Sequence, residues 1–152
     1  MVGFLTRFLL CLPVFCLPLQ SFEQLCSGSL GDPVVHINFG TPSNPQQVPP
    51  LSGYTYTSST CPNDGFYTIT DRTSSCFNNS WFTINSDRTG SGSFLLVNAS
   101  YNPGDFFLTR ISGLCPGTTY EFAAWLMNVI TYASIRPNLL FTIETVGGTV
   151  LQ

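Results

Sequence analysis

The chain predicts an all-β fold, a sandwich or barrel of short strands, and three observations carry that expectation. Runs rich in Val, Ile, Thr, Tyr and Phe alternate with clusters of Gly, Pro, Asn, Asp and Ser, and no long segment shows a helical period. Charged residues make up only 9% of the 152 residues, against roughly 25% in an average soluble protein. There is no lysine, so Ser, Thr, Asn and Gly must build the surface. The length suits one domain with a processed leader and is too short for two.

The leader comes first. "MVGFLTRFLLCLPVFCLPLQSFEQ" places Arg7 ahead of a short apolar run that Pro13 and Pro18 interrupt. About 20 apolar residues are needed to cross a bilayer as a helix, so residues 1–22 read as a secretory signal peptide rather than a membrane span. A lipoprotein anchor is disfavoured because neither "PVFC" nor "EQLC" puts small residues just before the cysteine. The mature β-sandwich domain then covers residues 23–152, with no membrane span.

Cys11 and Cys16 lie in the leader. Cys26, Cys61, Cys76 and Cys115 remain as an even set in an exported chain, which argues for two disulfides among three possible connectivities. No Cys/His spacing suits zinc. The expected pairs are Cys61 with Cys76, closing the short span "CPNDGFYTITDRTSSC", and Cys26 with Cys115, tying the first strand to the turn before Tyr120.

The strand candidates follow in order as "VVHINF", "YTYTS", "GFYTIT", "WFTIN", "SFLLVNA", "DFFLTRI", "TYEFAAWLM" and "LLFTIET". The stretch "TPSNPQQVPP" is the only loop of linker composition and is too short to separate domains. "NPGD" and "CPGT" set Pro before Gly, which suits turns with fixed φ at Pro and positive φ at Gly. In "TYEFAAWLM", alternation puts Tyr120, Phe122, Ala124 and Leu126 on one face and Glu121, Ala123, Trp125 and Met127 on the other. Two partly apolar faces predict a central strand. After "LLFTIET", Gly147 and Gly148 form a turn into the short run "TVLQ", which suggests the N-terminal part of a longer domain.

Four ordered segments, "CSGSLGDPVVHINFG", "YTSSTCPNDGFYTI", "LLVNASYNPGDFFL" and "GLCPGTTYEFAAWLMNV", resemble the N-terminal module of large secreted Bacteroidota proteins. Such proteins often carry adhesin-like repeats and a gliding-motility-associated, type IX secretion sorting domain. The same core is similar to the jelly-roll architecture of carbohydrate-binding modules and galactose-binding-like domains. The resemblance implies an antiparallel two-sheet jelly-roll sandwich, truncated before its last strands. It also implies a secreted or cell-surface location, downstream domains as neighbours, and calcium ligands in a later segment.

For chemistry the sequence is sparse. His36 is the single histidine and is expected to face solvent from its strand, with no partner by spacing. No nucleophile motif occurs. Asp64, Asp71, Asp87 and Asp105 sit in turn-like surroundings, where Asp caps the backbone, and Glu121 and Glu144 lie on strands that nothing links. An enzyme is not expected. With five Arg against eight acidic residues and no basic cluster, nucleic acid is not an expected partner. Calcium at Asp32, Asp105 or Glu121 lacks a ligand loop, so no cofactor is expected beyond a weak structural option. Asn78 and Asn98 match the N-glycosylation acceptor, a match that is accidental in a bacterium, the source the resemblance implies.

Sugar binding is the specific expectation. It needs aromatic faces for stacking and amides or carboxylates for hydroxyl groups. Trp81, Tyr101 and Trp125 supply the faces, with Asn98, Asp105 and Asn128 as companions. Core packing is the weightier reading for Trp81 and above all for Trp125. The module is therefore expected to recognise polysaccharide or cell-surface glycan without catalysis, in adhesion. The alternatives are a ligand-free spacer domain and an accessory domain of an extracellular hydrolase.

Overall fold

The computed structural model describes Pro33 and residues 35–48, 53–132 and 136–151. The leader, Cys26 and Asp32 lie outside the described residues. The described chain is β-rich with almost no helix and holds two small sheets.

The first sheet is a hairpin of β1 (Gly40–Thr41) and β2 (Asn44–Pro45), antiparallel, with Gly40 opposite Pro45. Apart from Gly40 it falls inside the stretch read as linker-like, residues 41–50. Its tightness rests on Gly40, whose φ is +81° and whose missing Cβ would collide with the backbone of Asn44 and Gln46. The Gln46 amide donates to the Phe39 carbonyl at 2.9 Å and closes the hairpin.

The second sheet orders β3 (Thr55–Tyr56), β4 (Phe66–Thr70) and β5 (Phe94–Asn98) as neighbours, with β4 in the middle. β4 and β5 run antiparallel over five paired positions, from Phe66 opposite Asn98 to Thr70 opposite Phe94. β3 pairs with β4 in parallel, a departure from the purely antiparallel expectation. β4 is the central strand, since both its faces are covered and residues 67–70 are all buried. The consecutive β-branched residues Thr68, Ile69 and Thr70 suit such a position, where side chains pack on both sides of the pleat.

The core is anchored by Tyr67, which is fully buried, and by a cluster of Cys76, Trp81 and Leu96. Cys61, Phe94, Val129 and Ile130 pack around that cluster. The Cys61–Cys76 disulfide is present, with Cα atoms 5.7 Å apart, as the short loop predicts. Cys115 is itself disulfide-bonded and buried, while Cys26, its expected partner, lies outside the described residues.

Beyond Cys76 the chain makes one turn, α1 (Cys76–Asn79), that is not a regular helix. Phe77, Asn78 and Asn79 have φ of 51°, 56° and 63°, a left-handed run that costs an L-residue roughly 1–2 kcal/mol at each position. Its surroundings fix it. The disulfide holds one end, and the Ser80 amide reaches the Cys76 carbonyl at 3.1 Å. Phe77 sets its ring edge-on to Trp81 with centroids 5.0 Å apart.

Several expected strands take another form. "WFTIN" does not extend a sheet. Trp81 makes a single antiparallel bridge to Ile130, and the Phe82 amide donates to the Val129 carbonyl at 2.7 Å. On its other side, Thr73 accepts the Ile84 amide and donates to the Phe82 carbonyl, so its hydroxyl pins the segment. "VVHINF", in its described residues, and "DFFLTRI" have no ladder. Phe106 packs edge-on to Tyr54, while Phe107 does the same to Phe39. "LLFTIET" contributes one bridge, Glu144 to Val150, across the turn at Gly147–Gly148, where Gly148 has φ of +82°. The correction of most consequence is "TYEFAAWLM", expected to be a central strand. It pairs with no strand, and residues 121–127 are exposed.

The two Pro-Gly turns also differ. Gly117 adopts φ of +72°, as expected, whereas Gly104 does not enter the positive region. Gly104 is small for another reason: a Cβ there would press on the Tyr54 ring at 3.2 Å.

No helix among the described residues is long and apolar enough to cross a membrane.

Candidate functional site

The six carbohydrate-binding candidates separate into two regions and one core residue. Trp81 is the core residue. Only 6% of it is accessible, and both the disulfide and Phe77 press on it, so its faces are taken and it offers no sugar platform. This matches its core reading and removes it from the site.

Asn98, Tyr101 and Asp105 form the first region, the end of β5 and the loop beyond. Asn98 donates its side-chain amide to the Pro62 carbonyl at 3.0 Å, a bond spanning 36 residues that ties β5 to the disulfide loop. Its amide therefore serves the fold. The Ser100 amide donates to the Tyr54 hydroxyl at 3.0 Å, which fixes the start of the loop, and Tyr101 next to it is fully exposed. Asp105 is exposed as well.

Trp125 and Asn128 form the second region. Trp125 is 80% exposed, which overturns the expectation that it packs between sheets or beneath a loop. The reason lies in the backbone. Without a ladder partner for residues 119–127, the alternation of apolar side chains finds no second layer to cover it. Three side-chain contacts hold this segment instead. The Tyr120 hydroxyl accepts the Cys115 amide at 2.7 Å, and Phe122 packs against Phe141 with centroids 5.1 Å apart. Arg88 lays its guanidinium 4.3 Å from the centre of the Trp125 ring. Such a contact attracts because the cation meets the negative face of the indole.

Arg88 was invisible as a site residue. It sits in "SDRTGSGS", which reads as a turn, and nothing in its spacing points 37 positions ahead. The turn itself is well built. The Asp87 carboxylate accepts from the Thr89 hydroxyl at 2.7 Å, the Thr89 amide at 3.0 Å and the Gly92 amide at 2.9 Å. Gly92 cannot carry a Cβ without striking that carboxylate. These bonds, the Thr89 hydroxyl first, hold the Asp87 carboxyl below its ordinary value. A lowered folded value means that the unfolded state binds the proton more readily. The Asp87 contribution is thus present above the unfolded value, near 3.8, and is lost as pH falls through the folded one. Protection of the Thr89 and Gly92 amides, taken relative to their intrinsic exchange, should accordingly fall as pH drops below the ordinary carboxylate value, and Asp87→Asn should abolish most of that pH response.

Asn128 accepts the Ile130 amide on its carbonyl oxygen at 3.1 Å, which leaves its NH2 to donate outward. It lines an open groove with Leu126, Met127, Arg136, Pro137 and Leu139. A second, smaller groove lies between His36–Phe39, Gln46–Val48 and Phe107–Thr109. His36 is exposed there, in keeping with the expectation that it faces solvent.

The remaining acidic residues are dispersed. Asp71 pairs with its neighbour Arg72 at 2.7 Å, and that bond lowers its carboxyl from the ordinary value. Among the described residues no three His, Cys, Asp or Glu side chains gather as a metal site would require. Comparison of the chain with protein-family models, with curated proteins and with solved structures gives no match.

Proposed function

We propose that this chain is a secreted, non-catalytic β-sandwich module of jelly-roll type that recognises polysaccharide or cell-surface glycan, as part of an adhesive surface protein. The observation that carries this reading is Trp125, an indole 80% exposed with an arginine seated on it. A large aromatic ring left in water forgoes the burial that normally rewards it, and a rigid, flat, apolar face is what the C–H side of a sugar ring stacks upon. The outward NH2 of Asn128 supplies a donor for a hydroxyl three residues along the same segment. Tyr101 offers a second exposed ring in the loop after β5.

The leader, the disulfides and the low charge support export to an oxidising compartment. The experiment is a glycan array probed with the chain and with Trp125→Ala. Binding by the former and at least a tenfold loss in the latter supports the reading, a loss of about 1.4 kcal/mol.

A second reading, a ligand-free spacer that packs against neighbouring domains, is favoured by the exposed apolar side chains of Leu126, Met127, Leu140, Val146 and Val150. It expects no glycan signal.

A further inference from the structure

The chain carries a net charge of -3 and only five cations, all arginine. Four of them, Arg72, Arg88, Arg110 and Arg136, lie among the described residues. Arg72 is neutralised by Asp71, the only ion pair among the described residues. Of the other three, two lie against the segment from Trp125 to Asn128. Arg88 sits against the Trp125 ring, and Arg136 lines the groove with Leu126, Met127 and Asn128. Both guanidinium groups are without a carboxylate partner among the described residues, Arg88 on the Trp125 ring and Arg136 in the groove that begins at the next residue, Leu126.

We infer that the glycan taken at this site is acidic, a polysaccharide whose rings carry carboxylate or sulfate groups, with Trp125 stacking the ring and Arg88 and Arg136 receiving the anions. The inference rests on the glycan-recognition reading and adds the ligand's charge to it. Guanidinium is suited to the task because its planar fork meets a carboxylate or sulfate with two parallel N–H donors. The groove side chains Leu126, Met127, Pro137 and Leu139 set apolar surface beside the Arg136 donors, on which the body of a sugar ring can rest while its anion is held. A generic attraction is excluded by sign, since an acidic protein repels a polyanion at long range. Any preference for one must arise locally and must weaken as salt screens it.

The test is affinity electrophoresis and titration against matched probes: polygalacturonate and its full methyl ester, and dextran sulfate and dextran. The chain should bind polygalacturonate or dextran sulfate about tenfold more tightly than the neutral counterpart, with the preference shrinking between low and high salt. The carboxylate and sulfate arms distinguish the two anion sources. Arg88→Gln and Arg136→Gln should each remove most of the preference. Arg110→Gln, which changes net charge equally, should leave the preference intact.

Equal binding of charged and neutral probes overturns the acidic preference but leaves glycan recognition standing. Equal effects of all three arginine substitutions overturn the local assignment. Absence of binding to all four probes overturns the inference together with the reading beneath it. Unchanged melting temperatures in the three variants confirm that a lost preference reports on the site.

Discussion

Trp81→Ala should lower stability by about 3–5 kcal/mol, the usual cost of removing a large aromatic from a core, and should unfold a domain of ordinary marginal stability. Trp81 is 6% accessible and holds together elements distant in sequence. Its ring packs with Cys76 and Leu96, its bridge to Ile130 attaches the last quarter of the chain, and Phe77 relies on it for an edge-on contact. The left-handed run at residues 77–79 would lose the packing that holds it. Urea denaturation followed by tryptophan fluorescence measures the effect, with Trp125 left as the reporter. Phe at the same position should recover part of the loss, since it refills much of the volume.

The second large effect is expected from the disulfide. Replacing Cys61 and Cys76 together by Ala should cost about 2–4 kcal/mol, because the bridge removes freedom from the unfolded chain across a separation of 15 residues. The loss should concentrate where the bridge acts. β4 lies wholly within the loop it closes, and Asn98 bonds the carbonyl of Pro62, next to Cys61. Hydrogen exchange should therefore quicken at β4 and at α1 before it does at the β1–β2 hairpin. A uniform loss across the chain would show that the bridge acts only through the unfolded state.

How far the sequence could be read depends on whether the signal was local. The Cys61–Cys76 pair was legible because two cysteines and a turn within one short span constrain each other. β4 and β5 were legible because β-branched and aromatic residues crowd them between clear turn residues, and Gly148 because only a turn accounts for two consecutive glycines. The turn at Asp87 was legible for the same reason. The failures are non-local. Trp125 sits in a run that reads as apolar on both faces, but the period of a strand states only which side chains share a face. Whether a face is covered depends on a second layer from elsewhere, and "TYEFAAWLM" has no strand beside it. The same limit hid Arg88, whose role appears only when a turn and a distant segment meet. It also hid the central position of β4: "GFYTIT" is short and mixed in polarity, and only its two neighbours reveal it as the middle of the sheet.

Trp81 and Trp125 thus divide the two uses of tryptophan in this chain, one holding the fold and the other facing out from it. That division is the central claim, and Trp125→Ala tests it most directly, with chemical denaturation and glycan retention measured on the same protein. The predicted result is stability within about 0.5 kcal/mol of the parent, as for a surface substitution, together with loss of retention on the polysaccharide that the parent binds. A fall in stability like that of Trp81→Ala, or retention unchanged from the parent, would contradict it.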